Sequence, residues 1–146
     1  MGDVEGDWVV SDLDKLVELA VAVRLQAHAP YSNFAVGAVI EAFDGRTAVG
    51  CNVENASYGL GVCAERAAVS SALAMGLRDW KRLVVLVEAS APVAPCGACR
   101  QVLAEFCGDL EIVLATTSGL REETRLGELL PRRFGASDLD EVSGVE

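Results

Sequence analysis

Residues 81–115 read Lys81-Arg82-Leu83-Val84-Val85-Leu86-Val87-Glu88-Ala89, Ser90-Ala91-Pro92-Val93-Ala94-Pro95, Cys96-Gly97-Ala98-Cys99-Arg100-Gln101-Val102-Leu103-Ala104-Glu105-Phe106, and Cys107-Gly108-Asp109-Leu110-Glu111-Ile112-Val113-Leu114-Ala115. Val84–Val87 and Ile112–Ala115 are continuously apolar, which is the pattern of strands covered on both faces rather than on one. Two prolines separate the first run from a stretch of helix-compatible sequence over about Cys96–Phe106. A strand at Lys81–Ala89, a helix and a strand at Glu111–Thr116 predict a parallel pair whose connecting helix lies on one face of a sheet.

Upstream, Ser11 followed by Asp14 resembles a capping box, and Leu13, Leu16, Val17, Ala20, Val23 and Ala27 recur at helical spacing. These predict a helix running to about His28, with Pro30 as its stop. Val36–Ala42 and Thr47–Val53 are β-prone runs joined by Asp44-Gly45, a hairpin signal. Gly59-Leu60-Gly61 leads into a second predicted helix over about Cys63–Met75, with Gly76 at its C-cap. Leu126–Leu130 predicts a short helical turn before Pro131. The order α-β-β-α-β-α-β gives an α/β fold, a three-layer αβα sandwich around a mixed sheet. No repeat, low-complexity tract or linker divides the chain. The expected organisation is one domain over residues 11–136, between flexible acidic segments at 1–10 and 137–146.

The chain has 146 residues, 51% of them hydrophobic and 23% charged, which fits one folded domain and excludes a disordered chain. Its longest apolar runs are strand-length, far short of the roughly 20 residues that cross a membrane. The start, Met1-Gly2-Asp3-Val4-Glu5, is acidic where a secretory signal is basic and then apolar. A soluble, cytoplasmic protein without membrane association is the expectation. The net charge of -10 sits at the ends: residues 1–14 and 137–146 hold nine acids and no base, whereas 15–136 hold 13 acids and all 12 bases. Arg78/Lys81/Arg82 and Arg132/Arg133 do not form the basic stripe with interleaved aromatics that tracks phosphates. A nucleic-acid polymer is therefore not an expected partner.

Five cysteines, Cys51, Cys63, Cys96, Cys99 and Cys107, are an odd number without a secretory signal, which argues against a disulfide framework. Cys63 falls at the start of one predicted helix, Cys96 and Cys99 at the start of another. Free N–H groups and the positive end of the helix dipole favour thiolates there. The Cys-x-x-Cys spacing puts two sulfurs on one turn, and a third from a neighbouring helix completes a tripod. Three protein ligands leave one tetrahedral position open for water, as in catalytic zinc sites. A closed structural zinc site needs a fourth sulfur. Cys107 lies about 12–16 Å along the helix from Cys96 and Cys99 and cannot supply it, while Cys51 remains a candidate. A thiol redox pair at Cys96/Cys99 is a third reading. The single histidine, His28, has no partner motif and reads as a satisfied helix-terminal residue.

Glu65, in Cys63-Ala64-Glu65, separates these readings. Alone it is an acid in the first turn of a helix, where acids are common. Beside a metal it is a carboxylate placed to take a proton from water and deliver it to a leaving group. Cys-x-Glu followed by Pro95-Cys96-Gly97-Ala98-Cys99 matches the zinc deaminase signature. Beyond that signature, Tyr31-Ser32-Asn33-Phe34-Ala35-Val36-Gly37-Ala38, Asn52-Val53-Glu54-Asn55-Ala56-Ser57-Tyr58, Cys63-Ala64-Glu65-Arg66, Pro95–Leu103 and Leu129-Leu130-Pro131-Arg132-Arg133-Phe134 occur in that order. Over about Ala29–Phe134 the chain resembles the small, homotetrameric, three-cysteine cytidine deaminases. Ala94 departs from the Ser often found before Pro-Cys in that family, and the acidic ends are this chain's own.

The resemblance implies a sheet of about five strands, one Zn²⁺ per chain on Cys63, Cys96 and Cys99, and Glu65 as proton shuttle. It implies that Asn52, Val53 and Glu54 line the ribose subsite, with Asn52 and Glu54 bonding the sugar. Phe34 would pack on the base, and the backbones of Ala64 and Ala94 would read the pyrimidine. Ala56, Tyr58 and Phe134 would reach a neighbouring subunit's site in a homotetramer. The implied reaction is hydrolytic deamination of cytidine and 2′-deoxycytidine in pyrimidine salvage, Glu65 protonating N3 and then the departing amine. Three thiolates give zinc a formal charge of -1, which works against activating water, and Arg66 is placed to donate to the sulfurs and withdraw charge. A buried Glu54 facing a 3′-hydroxyl would reject substrates lacking it. The alternatives are a deaminase of a modified cytosine nucleoside such as blasticidin S, and a structural zinc module that binds a partner.

Overall fold

The computed structural model describes residues 12–143. Its centre is the strand–helix–strand unit: β3 (Trp80–Val87), α3 (Gly97–Phe106) and β4 (Glu111–Thr116), with β3 and β4 parallel and Val85 opposite Leu114. β1 (Val36–Ala42) runs antiparallel to β3, and β2 (Thr47–Cys51) antiparallel to β1. β5 (Arg121–Arg125) pairs antiparallel with β4, giving five strands in the order β2-β1-β3-β4-β5. α1 (Asp12–Arg24) covers one face, and α2 (Ala64–Ala74) with α3 the other.

The continuous apolar runs have the burial their sequence demands. Leu83, Val85 and Val87 face α2 and α3, in a core that includes Ala68, Ala72 and Leu103. Val84 and Leu86 face the opposite way and pack with Leu16 and Ala20 of α1. Alternate side chains of Leu83–Val87 thus enter two cores, so no polar residue interrupts that run. Near the opposite ends of the strands from residues 36 and 87, Glu41, Arg82, Glu111 and Arg125 stand in register across four strands as a row of alternating charge. Arg82 Nε lies 3.2 Å from Glu111 Oε1 within it. Opposite charges side by side favour this register.

Three elements differ from their sequence expectation. α1 ends at Arg24, not His28, because the next residues are drawn into tertiary pairing. Gln26 and Ala27 N–H groups reach back to Val23 and Arg24 carbonyls, and the His28 N–H donates to Asn52 O at 3.0 Å. β5 carries no apolar pattern, since Arg-Glu-Glu-Thr-Arg is an edge strand with mostly exposed side chains. At the end of the described chain, where the sequence reading placed no element, Ala136–Ser143 forms the helix α5. Asp138 Oδ2 accepts the Gly135 N–H at 2.7 Å, closing the first turn. The acidic N-terminal segment expected at 1–10, the cap at Ser11 and residues 144–146 lie outside the described residues.

The remaining turn, α4 (Leu126–Leu129), leads to a segment strapped along α3. Arg100 donates to Pro95 O at 2.8 Å and Leu129 O at 2.9 Å, and Gln101 to Phe134 O at 2.8 Å. Arg133 donates to Cys107 O at 2.7 Å, satisfying a carbonyl at the C-terminal end of α3. These bonds fix the loop before Cys96 as well as the end of its helix.

Candidate metal centre and substrate cleft

α2 and α3 lie on one face of the sheet and begin close together, beside the C-terminal end of β3. Cys63 and Cys96 are the N-cap residues, each with extended backbone, and Cys99 stands in the first turn of α3. Cys96 Sγ lies 4.0 Å from Cys63 Sγ and 3.5 Å from Cys99 Sγ, and all three sulfurs fall within 4.8 Å of one another. A tetrahedral zinc with bonds of about 2.3 Å separates its sulfurs by about 3.8 Å, so the donor type and spacing fit that ion. Among the described residues this is the one grouping of three or more metal-ligating side chains, and it does not include Cys51.

The reason is strand parity. Cys51 stands directly opposite Gly37. A Cβ on Gly37 would meet the Ala20 carbonyl of α1 at 2.2 Å, so Gly37 and its paired neighbour face α1, away from the cluster. The four-sulfur structural site loses its only candidate ligand.

The start of α3 does not act alike on Cys96 and Cys99. Cys96 is lowered, chiefly by the Cys99 backbone N–H that bonds its sulfur. Cys99 departs from the thiolate expectation: burial pushes it strongly up, and the Glu65 carboxylate adds to the effect. A bound cation reverses that balance, because the ion is then the largest local charge.

Glu65 is 7% exposed, with Oε2 3.7 Å from Cys99 Sγ. Burial raises its pKa from the ordinary carboxylate range, opposed by its own backbone N–H, Cys99 and Arg66. Arg66 turns its Nη2 to Cys63 Sγ at 3.6 Å, and contact with the sulfur raises its own pKa. One helix thus supplies a sulfur, a carboxylate and a guanidinium within four residues.

Beside the cluster lies a cavity of about 270 Å³ lined by Phe34, Val36, Asn52, Glu54, Ala64, Glu65, Val85, Val87, Ala94 and the Cys63 and Cys96 sulfur residues. A second, more open cavity of about 540 Å³ adjoins it, bordered by Tyr31, Val53, Tyr58 and Arg66. The two share Ser32, Asn52, Glu54 and Cys63. Val53 pairs with Val62 through two backbone bonds of 2.9 Å and leaves its side chain half exposed. Ala56 is exposed, as are Tyr58 and Phe134 at 79% and 59%. Ser32, Val85, Val87 and Val93 also line the cleft. Strand periodicity marks Val85 and Val87 only as core, Val93 is a loop residue between two prolines, and Ser32 carries no signal beyond its place two residues before Phe34.

Asn52 is bonded at both ends: Nδ2 donates to Phe34 O at 2.8 Å, and Oδ1 accepts the Val36 N–H at 2.8 Å. Glu54 accepts from Tyr31 and Ser32, which lowers its pKa, the Ser32 hydroxyl contributing most. The 52–54 strand extension and the 31–36 segment are therefore one hydrogen-bonded wall.

Comparison with known proteins places this arrangement. Residues 10–116 match the family model of the cytidine and deoxycytidylate deaminase zinc-binding region. The cytidine deaminase of Sporosarcina psychrophila is 46% identical over 129 residues, covering 88% of this chain and 95% of its own length. That of Halalkalibacterium halodurans is 44% identical over 131 residues, covering 89% and 99%. The crystal structure of the cytidine deaminase from Burkholderia pseudomallei superposes with a TM-score of 0.79 at 51% identity, covering 82% of this chain and 97% of that one. With the sulfur tripod, the adjacent carboxylate and both helix starts accounted for, this chain belongs to the cytidine deaminase family.

Proposed function

We propose that this chain catalyses zinc-dependent hydrolytic deamination of cytidine and 2′-deoxycytidine, consuming one water and releasing uridine or 2′-deoxyuridine and ammonia. The observation that carries the reading is a cluster of three sulfurs, not four, with the buried Glu65 carboxylate 3.7 Å from one of them. Cys63, Cys96 and Cys99 would hold one Zn²⁺, which would supply Lewis acidity and so favour ionisation of water near neutral pH. Arg66 draws charge from the Cys63 sulfur, countering the negative thiolate set. Glu65 accepts one proton from the attacking water and delivers it to N3, then takes the second from the resulting C4 hydroxyl and gives it to the amine as the C4–N bond breaks and the C4 carbonyl forms. Its burial raises the pKa of the carboxyl, which favours holding a proton between the two transfers.

Phe34 packs against the base, and the backbones of Ala64 and Ala94 read its amide and amino groups. Asn52 and Glu54 take the ribose hydroxyls, with Val53 between them in the same extended segment. The deaminase domain spans residues 11–136. Ala56, Tyr58 and Phe134 are exposed, Tyr58 at the border of the open cavity, and all three are proposed to reach a neighbouring subunit's site in a homotetramer. No helix among the described residues is long and apolar enough to cross a membrane, which is consistent with the cytoplasm as its proposed location.

The test is ammonia release from cytidine by purified protein, with and without a strong chelator, beside Glu65→Gln. Turnover should require zinc, and Glu65→Gln should keep the metal while losing about 10²–10⁴ in rate, the scale of a positioned acid–base group. Undiminished turnover in Glu65→Gln would sink the assignment. Sedimentation at four times the 15.4 kDa chain mass is expected for the assembly.

A further inference from the structure

One side chain joins the sugar-facing carboxylate to the segment that carries Phe34. The Tyr31 and Ser32 N–H groups both donate to Glu54 Oε1, at 3.0 and 3.1 Å. The Ser32 hydroxyl donates to the other oxygen, Glu54 Oε2. The same Ser32 Oγ accepts the Phe34 N–H at 3.0 Å. Two bonds on one oxygen leave a carboxylate able to twist about them, whereas a third on the other oxygen fixes its plane. Ser32 is also one of the residues common to both cavities.

We propose that Ser32 is a positioning residue: its hydroxyl fixes the plane of the Glu54 carboxylate relative to Phe34, and this fixed plane makes the enzyme select nucleosides bearing a 3′-hydroxyl. The proposal rests on the reading of Glu54 as a ribose-binding group. An acceptor locked in place cannot turn to another donor when the substrate lacks its hydroxyl, so that substrate leaves it poorly paired. An acceptor free to rotate recovers a bond from water and discriminates less. Asn52 Nδ2 and Oδ1 each hold one backbone bond and keep a further site for a sugar hydroxyl, so Glu54 is the group at this wall whose orientation Ser32 sets.

Steady-state kcat and KM are to be measured for cytidine and 3′-deoxycytidine with wild type, Ser32→Ala and Ser32→Thr, alongside zinc content. Ser32 is an exposed loop residue, so its truncation opens no core cavity. In Ser32→Ala the KM for cytidine should rise about tenfold, the scale of one hydrogen bond to a charged group, with kcat within about threefold. The KM for 3′-deoxycytidine should move little, so the ratio of the two kcat/KM values falls about tenfold. Ser32→Thr, which keeps the hydroxyl, should restore the ratio. In a Glu54→Gln background, Ser32→Ala should leave the ratio unmoved, since the residue acts through Glu54. An unchanged ratio in Ser32→Ala, an equal loss on both substrates, or a further shift in the Glu54→Gln background overturns the Ser32 role alone. Wild-type protein that turns over neither nucleoside overturns the deaminase reading, and the Ser32 role with it.

Discussion

Cys51 and Cys99 have the same side chain and opposite circumstances. Cys51 faces α1 from β2, whereas Cys99 lies buried in the first turn of α3 against Glu65. Cys51→Ala is therefore expected to keep one zinc per chain and activity within about twofold, because surface-type changes away from a site cost little. Cys99→Ala removes a ligand and is expected to lose both metal and turnover. Metal analysis after exhaustive dialysis, paired with the ammonia assay, checks the two together. Zinc retained at full stoichiometry in Cys99→Ala would show that the tripod is not the site. Sequence made the three ligands legible through their spacing, and left Cys51 open because facing is a property of strand pairing.

At the scale of elements, the position of α2 is set by a glycine in the strand beneath it. A Cβ on Gly50 would meet Ala68 N at 2.3 Å and Ala64 O at 2.5 Å, both backbone atoms of α2. The helix that carries Glu65 and Arg66 can lie this close to β2 only without a side chain there. Gly50→Ala is expected to destabilise the fold by about 1–3 kcal/mol, as overpacking does, and to weaken zinc binding by displacing α2. Gly59→Ala, where no atom lies within 4 Å of the added Cβ, is the control and should be near neutral. Thermal denaturation of both, with zinc titration, tests this; equal melting temperatures would refute close packing as the constraint. The Cys-x-x-Cys and Cys-x-Glu spacings were readable because each lies within one turn of one helix. β5 was not, since Arg121–Arg125 lacks the alternation that marks a half-buried strand and takes its conformation from pairing with β4.

For the molecule as a whole, Cys107 couples stability to alkaline pH. It is 8% exposed at the end of α3, and burial pushes its thiol up to about 11 from 9.0. Between those values the unfolded chain gives up the proton and the folded chain keeps it. The unfolded state then binds fewer protons, so stability falls as pH rises through this window. Cys107→Ala removes that contribution, and its urea midpoint should decline less steeply than wild type between pH 8.5 and 10.5. Comparing slopes rather than absolute midpoints separates the titration from the lost packing of the sulfur. Parallel slopes would mean that Cys107 does not titrate differently in the two states.

The sequence by itself determined the parallel strand pair, the two-sided burial of Val84–Val87, and the placing of Cys63, Cys96, Cys99, Glu65 and Arg66 at helix starts. Those features depend on periodicity and on spacing within a few residues, which the chain carries locally. Tertiary structure alone decided that α1 stops at Arg24, which residues form β5, that Cys51 turns away from the metal centre, and that burial pushes the Cys99 thiol up. It also decided that Ser32 and Asn52 tie residues 31–36 to residues 52–54. Burial, strand partner and proton affinity depend on groups brought together from distant parts of the chain, so they follow from packing and not from local pattern.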